Sequence, residues 1–338
     1  MSELPWLAGP LQRALASATG HALLIHGPRG VGQFELAIQL ASAWLCESDG
    51  AARPCGTCAS CRLVAARTHP DLLVLLPEAQ REALGWAADD ESSARESKAK
   101  PSKDIRVEEV RQSIGYTQTT SARGRGKVLV IHPAERMNAV AANALLKTLE
   151  EPPGAARLLL CTAAPERLLP TIRSRCQAFA LGLPEQVVAA QWLAGKGVAE
   201  PEAMLRASGG LPQDVLDAAA LGIDAQLWSR LPALVARGDA APFAGWPLPR
   251  LIESLQKLCH DAWCVSRGAA PRYFAAGTIR AAASVDALQA WSKALVAAAR
   301  HDEHPWNAAL LAESLVEQGR RALAGTPSRQ GRPLHSGR

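Results

Sequence analysis

An α/β domain with a doubly wound parallel sheet, followed by an all-helical remainder, is the fold class that this sequence predicts. Three observations carry it. Short apolar runs alternate with helical patterns through the first half of the chain. A glycine-rich turn joins the first of those runs to the first long apolar helix. Strand signals then stop after Leu183-Pro184. A length of 338 residues exceeds one simple core and suits two or three domains.

Taken in order, the first run is His21-Ala-Leu-Leu-Ile-His26. It ends in Gly27-Pro-Arg-Gly30-Val-Gly32, and an apolar helical stretch follows from Phe34 to Leu45. Strand, glycine turn and helix in this order open a phosphate-loop α/β domain. Further strands are predicted at Asp71–Leu76, Lys127–Ile131 and Arg157–Thr162, with helices at Ile105–Thr117 and Asn138–Glu150. Each strand is short and apolar on both faces, as a strand inside a parallel sheet must be. Residues 78–104 turn polar, and the low-complexity run Asp89 to Lys103 reads as a flexible insertion too polar to pack. Residues 184–235 form a small helical unit ending near Gly238. From Pro247 the helices lengthen, and Leu251, Ile252, Leu255, Leu258 and Cys259 share one face. The Pro-, Ser-, Arg- and Gly-bearing tail after Gly325 predicts disorder.

Composition narrows the function classes. Ala and Leu dominate the 48% apolar content, which favours helix because these residues cost least in helical geometry. No run of apolar residues is long enough to cross a membrane, and the N-terminus lacks the basic start and unbroken apolar stretch of a signal peptide. The chain is therefore expected to be soluble and cytoplasmic. A net charge of +5 permits a nucleic-acid surface without demanding one. Eight cysteines in a cytosolic chain argue for metal binding or buried thiols rather than disulfides.

The phosphate loop keeps its shape and loses its chemistry. A working loop reads G-x-x-x-x-G-K-[ST]. Here Gly27, Gly30 and Gly32 remain, but Gln33 stands at the lysine position and Phe34 at the Mg²⁺-binding hydroxyl. A neutral amide cannot offset phosphate charge, and an apolar ring offers no metal ligand. The third strand should end in an acidic pair to hold Mg²⁺ and activate water; it runs instead into His132-Pro133. Glu135, two positions on, reads as a solvated first-turn acid. These losses predict no ATP hydrolysis by the chain itself, while the glycine loop leaves weak nucleotide binding open.

Cys46-x8-Cys55-x2-Cys58-x2-Cys61 follows the loop helix. Four soft ligands at this spacing, with turn formers Asp49-Gly50 and Arg53-Pro54 between them, predict a closed, structural Zn²⁺ knuckle. Cys161, Cys176, Cys259 and Cys264 are scattered and read as core thiols. The knuckle carries only Arg53, Arg62 and Arg67 nearby and few aromatics, which disfavours a DNA-binding zinc module. Arg123-Gly-Arg125-Gly-Lys127 reads as a solvated basic turn, and His69-Pro70-Asp71 as a strand lead-in.

Two further stretches carry a resemblance. Ala141-Ala-Asn-Ala-Leu-Leu-Lys-Thr-Leu-Glu-Glu-Pro-Pro153 and Thr162-Ala-Ala-Pro-Glu-Arg-Leu-Leu-Pro170-Thr-Ile-Arg-Ser174-Arg175-Cys176 resemble segments of the bacterial clamp-loader AAA+ family of DNA polymerase III. With the loop and the cysteines, the likeness covers roughly residues 5–182. Beyond them it is one of length and composition only. Some members of that family keep the lysine-threonine loop and the acidic pair; this chain resembles those that lack both and keep Ser-Arg-Cys. The resemblance implies an AAA+ core at residues 1–182, with the zinc module at 46–61 and the insertion at 78–104. It implies a helical lid at 183–238, a helical collar for oligomerisation at 239–325 and a tail at 326–338. It also implies a ring with tau/gamma and delta subunits that places a sliding clamp on primed DNA. Arg175 would act there as an arginine finger, in trans, on ATP held by a neighbouring tau/gamma subunit. Arg173 is its rival, and a structural role at the sheet edge is the plainer reading of Arg175. Thr162 falls at the family's first sensor position, and the Gly209–Asp214 stretch lacks the arginine that active relatives carry. The competing function is an autonomous phosphate-loop ATPase of DNA metabolism with an atypical loop.

Overall fold

The computed structural model describes residues 4–18, 20–50, 53–86, 101–279, 285–300 and 307–324. Most of the predicted flexible insertion and all of the predicted tail lie outside these residues. The chain forms two compact units, Met1–Trp192 and Leu193–Arg338.

In the first unit five strands pair in parallel, in the order β2-β3-β4-β1-β5. They are β1 Ala22–His26, β2 Leu72–Leu75, β3 Val128–Ile131, β4 Arg157–Thr162 and β5 Gln177–Ala180. The four predicted strands are present, with ends trimmed by one residue where the chain turns. The fifth is additional. It lies at the sheet edge, half-buried and exposed in alternation, so its four residues carry too little apolar signal to register in sequence.

Helices precede and separate the strands: α1 Ala8–Ser17, α2 Gln33–Leu45, α3 Ala59–Ala65, α4 Glu78–Arg81, α5 Val107–Gln118, α6 Ala139–Glu150 and α7 Pro170–Arg173. Alternate strand residues face opposite sides of a sheet. Leu24, Leu129, Ile131, Leu158 and Leu160 therefore bury one face against Val110 of α5 and Leu145 and Leu149 of α6. On the sheet's other side α2 packs on β1, β3 and β4, burying Leu36, Ala37 and Leu40. The register sets Ile25 beside Cys161 and His26 beside Thr162. The turns leaving β1, β3 and β4 thus meet at one end of the sheet, where ligand crevices of such folds form.

The helix α8 Gln186–Gly195 runs across the division between the units. The second unit continues with α9 Pro201–Ser208, α10 Pro212–Ala220, α11 Ala225–Arg237, α12 Leu248–Ser266, α13 Val285–Arg300 and α14 Ala308–Leu323. Gly238 ends α11 in the left-handed region, as a helix-stopping glycine does. Here α11 packs on α14, and α12, α13 and α14 pack on one another. Gly319 lets α14 approach Val235 and Trp291 closely, and the Trp291 indole donates to the Leu315 carbonyl at 3.0 Å. Arg250 and Lys257 of α12 both bind Asp214 of α10, at 2.7 and 3.5 Å. Among the described residues α11, at the end of the predicted lid, shares its core with helices of the predicted collar.

Candidate functional site

The glycine loop is held from outside the sheet. Trp6 donates to the Val31 carbonyl at 2.9 Å, and Leu4 and Leu7 lie against Gly32, whose φ of +102° suits only glycine. A side chain at Gly27 would strike the Leu181 carbonyl. These glycines therefore have structural work independent of any phosphate.

Gln33 and Phe34 turn the loop inward. The Gln33 amide donates to the carbonyls of Gly27 and Pro28, at 2.8 Å each, so both its N–H groups engage the loop itself. The Phe34 ring is buried and stacks on His132 with centroids 5.0 Å apart. Trp86 meets Phe34 edge-on at 6.5 Å. That contact corrects part of the insertion reading. The segment from Glu78 to Trp86 is ordered, through α4, through pairing of Arg81 with Glu109, and through Arg67 bonding to Gly85. At its other end Ser102 bonds Glu78 and Asp104. The polar composition hid these anchors.

His132 and Glu135 form the acidic-pair region of the site. Burial pushes the His132 imidazole down to about 4, with Glu135 opposing, and its Nδ1 is buried without a hydrogen-bond partner. Glu135 is not the solvated acid expected. The 3-10 turn Ala134–Arg136 directs it inward, where one oxygen accepts the Ala163 N–H at 3.2 Å and the other is buried unpartnered. Burial also raises the Glu35 carboxyl. Thr162 is buried, and its hydroxyl accepts the Ala164 N–H at 3.0 Å, which stabilises the turn after β4.

The four cysteines come together. Cys46 caps the end of α2, Cys55 precedes the turn at Gly56, Cys58 caps the start of α3 and Cys61 lies within it. Their sulfurs all lie within 4.8 Å of one another, with Cys46–Cys58 at 3.9 Å and Cys55–Cys61 at 4.0 Å. A tetrahedron of sulfurs around Zn²⁺ at ~2.3 Å has edges of about 3.8 Å. The N–H groups of Cys58 and Cys61 point at Cys55 and Cys58 sulfurs, at 3.3 and 3.4 Å, as donors to thiolates do. The Cys58 N–H holds the Cys55 thiol down to about 6, whereas burial pushes Cys61 up to about 12. The donor set and its geometry fit a four-thiolate metal site.

The basic turn after α5 is solvated only in part: Arg125 is exposed as expected, Arg123 is half-buried and Lys127 is buried. Asp71, fully buried, accepts the N–H groups of Ala122 and Arg123 at 2.8 Å each, the Ser121 hydroxyl at 2.9 Å and the buried Lys127 ammonium at 3.3 Å. Burial would raise its carboxyl, but these donors together hold it below the ordinary carboxylate range. Arg123 pairs with Glu47 beside the cysteine cluster, and Arg125 with Asp49 at 3.2 Å. Arg123 and Arg125 thus tie the knuckle to the turn before β3.

Of the remaining cysteines, Cys161 and Cys259 are buried core thiols, while Cys176 and Cys264 are only half-buried. In the second unit Cys264 approaches His260 and Asp261. The Asp261 carboxylate is already saturated by the N–H groups of Arg272, Tyr273 and Phe274 and by His260.

Arg175 stands just past α7. Its Nε donates to Glu150 at 2.6 Å, its Nη2 pairs with the same carboxylate, and its Nη1 donates to the Thr171 carbonyl at 3.1 Å. The side chain remains one-third exposed, and Arg173 is exposed two positions before it.

A parallel sheet in this strand order, with a glycine loop leaving β1 beside the edge strand β5 and a buried Thr162 ending the neighbouring strand β4, defines an AAA+ module of the phosphate-loop class. The chain belongs to the family described as DNA polymerase III, delta subunit, whose signature matches residues 8–184. It is 42% identical over 213 residues to DNA polymerase III subunit delta' of Pseudomonas aeruginosa, covering 60% of this chain and 58% of that protein. With subunit delta' of Escherichia coli K12 the identity is 34% over 211 residues, 61% and 57% of the respective chains. With subunit tau of Salmonella typhimurium it is 35% over 161 residues, covering 48% of this chain and 21% of tau. The chain thus spans little more than half the length of the delta' relatives it matches.

Proposed function

We propose that this chain is a non-hydrolysing, delta-prime-type subunit of a bacterial DNA polymerase III clamp loader. In that role it helps load the sliding clamp onto primed DNA and supplies Arg175, in trans, to ATP on a neighbouring tau/gamma subunit. The observation that carries the reading is the filled phosphate loop. Gln33 is bonded to its own loop and the Phe34 ring packs against those of His132 and Trp86, which supports a module without the charge and ligand chemistry that hydrolysis needs. A guanidinium directed at a neighbour's γ-phosphate stabilises transition-state charge, and positioning plus electrostatics is nearly all that phosphoryl transfer needs. The chain acts as a component of the polymerase holoenzyme, in the cytoplasm, with tau/gamma and delta as partners. Residues 183–238 serve as lid and 239–325 as the collar that joins the ring. Cys46, Cys55, Cys58 and Cys61 hold a structural Zn²⁺, in keeping with their sulfur spacing. No described helix is long and apolar enough to cross a membrane.

The test is reconstitution with tau/gamma and delta, measuring DNA-stimulated ATP turnover with this chain, without it, and with Arg175→Ala. Turnover that needs the chain and drops with Arg175→Ala is the expected result; unchanged turnover rejects the finger. ATP hydrolysis by the purified chain alone, lost on changing Gln33, would favour the autonomous ATPase.

A further inference from the structure

Arg175 is gripped in its own chain, and the grip has a direction. A guanidinium carries five N–H donors in a rigid plane. Glu150 takes the one on Nε and lies in ion-pair contact with Nη2, and the Thr171 carbonyl takes one from Nη1. The outer N–H groups of the two terminal nitrogens are left less engaged, Nη1 meeting only Ser174 Oγ further, at a weak 3.4 Å. Glu150 is the last residue of α6, and α6 packs on α7, which leads into Arg175. The carboxylate is therefore carried on a packed helix end, whereas the arginine side chain alone has several free torsions.

We propose that Glu150 is the positioning residue for Arg175: it holds the Nε edge so that the outer N–H pair is presented to an anion on an adjacent subunit. This rests on the reading of Arg175 as a finger acting in trans. An ion pair half open to solvent contributes little to stability, so its service is orientation. A misdirected guanidinium costs rate through lost preorganisation, not through weaker ATP binding at a site built by another chain.

The test uses the full chain in the loader reconstituted with tau/gamma and delta, comparing Arg175→Ala, Glu150→Ala, Glu150→Gln and the double variant Glu150→Ala/Arg175→Ala. Glu150→Ala should lower kcat for DNA-stimulated ATP turnover about tenfold, with KM for ATP unchanged. Glu150→Gln keeps an acceptor for Nε without the charge and should fall between Glu150→Ala and the parent. The double variant should be no slower than Arg175→Ala, and the urea midpoint of the isolated chain should not move. Parental turnover in both Glu150 variants, in a loader that Arg175→Ala slows, overturns the positioning role and leaves the finger standing. Faster turnover, or a raised KM at unchanged kcat, also overturns it. Parental turnover with Arg175→Ala overturns both readings. If Glu150→Ala fails to assemble, the isosteric Glu150→Gln supplies the same readout.

Discussion

Replacing His132 by Phe should remove a block of acid sensitivity from this protein. His132 lies at the end of β3 with its ring stacked on Phe34, and burial holds its imidazole down to about 4 against an ordinary value of 6.5. Between those values the unfolded chain binds a proton that the folded chain refuses, so stability rises with pH through the window. The contribution is complete above 6.5 and is lost as pH falls towards 4. Between pH 7 and about pH 4.5 the two titrations differ by at most about 2 kcal/mol. Phe keeps a ring against Phe34 and carries no proton. Urea unfolding by circular dichroism at both pH values, on parent and His132→Phe, isolates the effect, because losses at the cysteines and other carboxyls are common to both. The parent should lose about 2 kcal/mol more than the variant. Equal losses would refute a buried neutral imidazole.

Other expectations follow from packing and charge. Asp71→Ala strips the counter-charge from buried Lys127 and the acceptor from three further donors, and should cost about 3–5 kcal/mol in chemical unfolding. Gly319→Ala places a methyl 2.6 Å from Val235 and 2.7 Å from Trp291, both packed; a loss of about 1–3 kcal/mol is expected, and a change under about 0.5 would show that α14 can slide away. Metal analysis should find one zinc per chain, and Cys61→Ser should abolish it and lower the thermal midpoint, as chelator does to the parent.

Much of the fold was legible in residue order. Runs such as Leu129 to Ile131 are apolar on both faces, and only the middle of a parallel sheet accommodates that. The missed strand, Gln177–Ala180, sits at the edge, where one neighbour suffices and alternation over four residues resembles a loop. The cysteine spacing likewise foretold a cluster, because chelate geometry is local. Trp86 over Phe34 was invisible, since a polar run suggested a tether and nothing in residue order joins positions so far apart.

By sequence alone this protein declared the parallel α/β core, the helical remainder, the four-sulfur knuckle, and the absence of lysine and hydroxyl from its phosphate loop and of the acidic pair after its third strand. Each is a matter of residue type at short spacing, where covalent connection limits the outcomes. Tertiary structure decided where charged and polar groups point. It turned Glu135 inward, buried Lys127 on Asp71, locked Gln33 onto its own loop and set Arg175 on Glu150. A charged or polar side chain takes its role from the partners that the fold brings to it, and only the folded chain brings them.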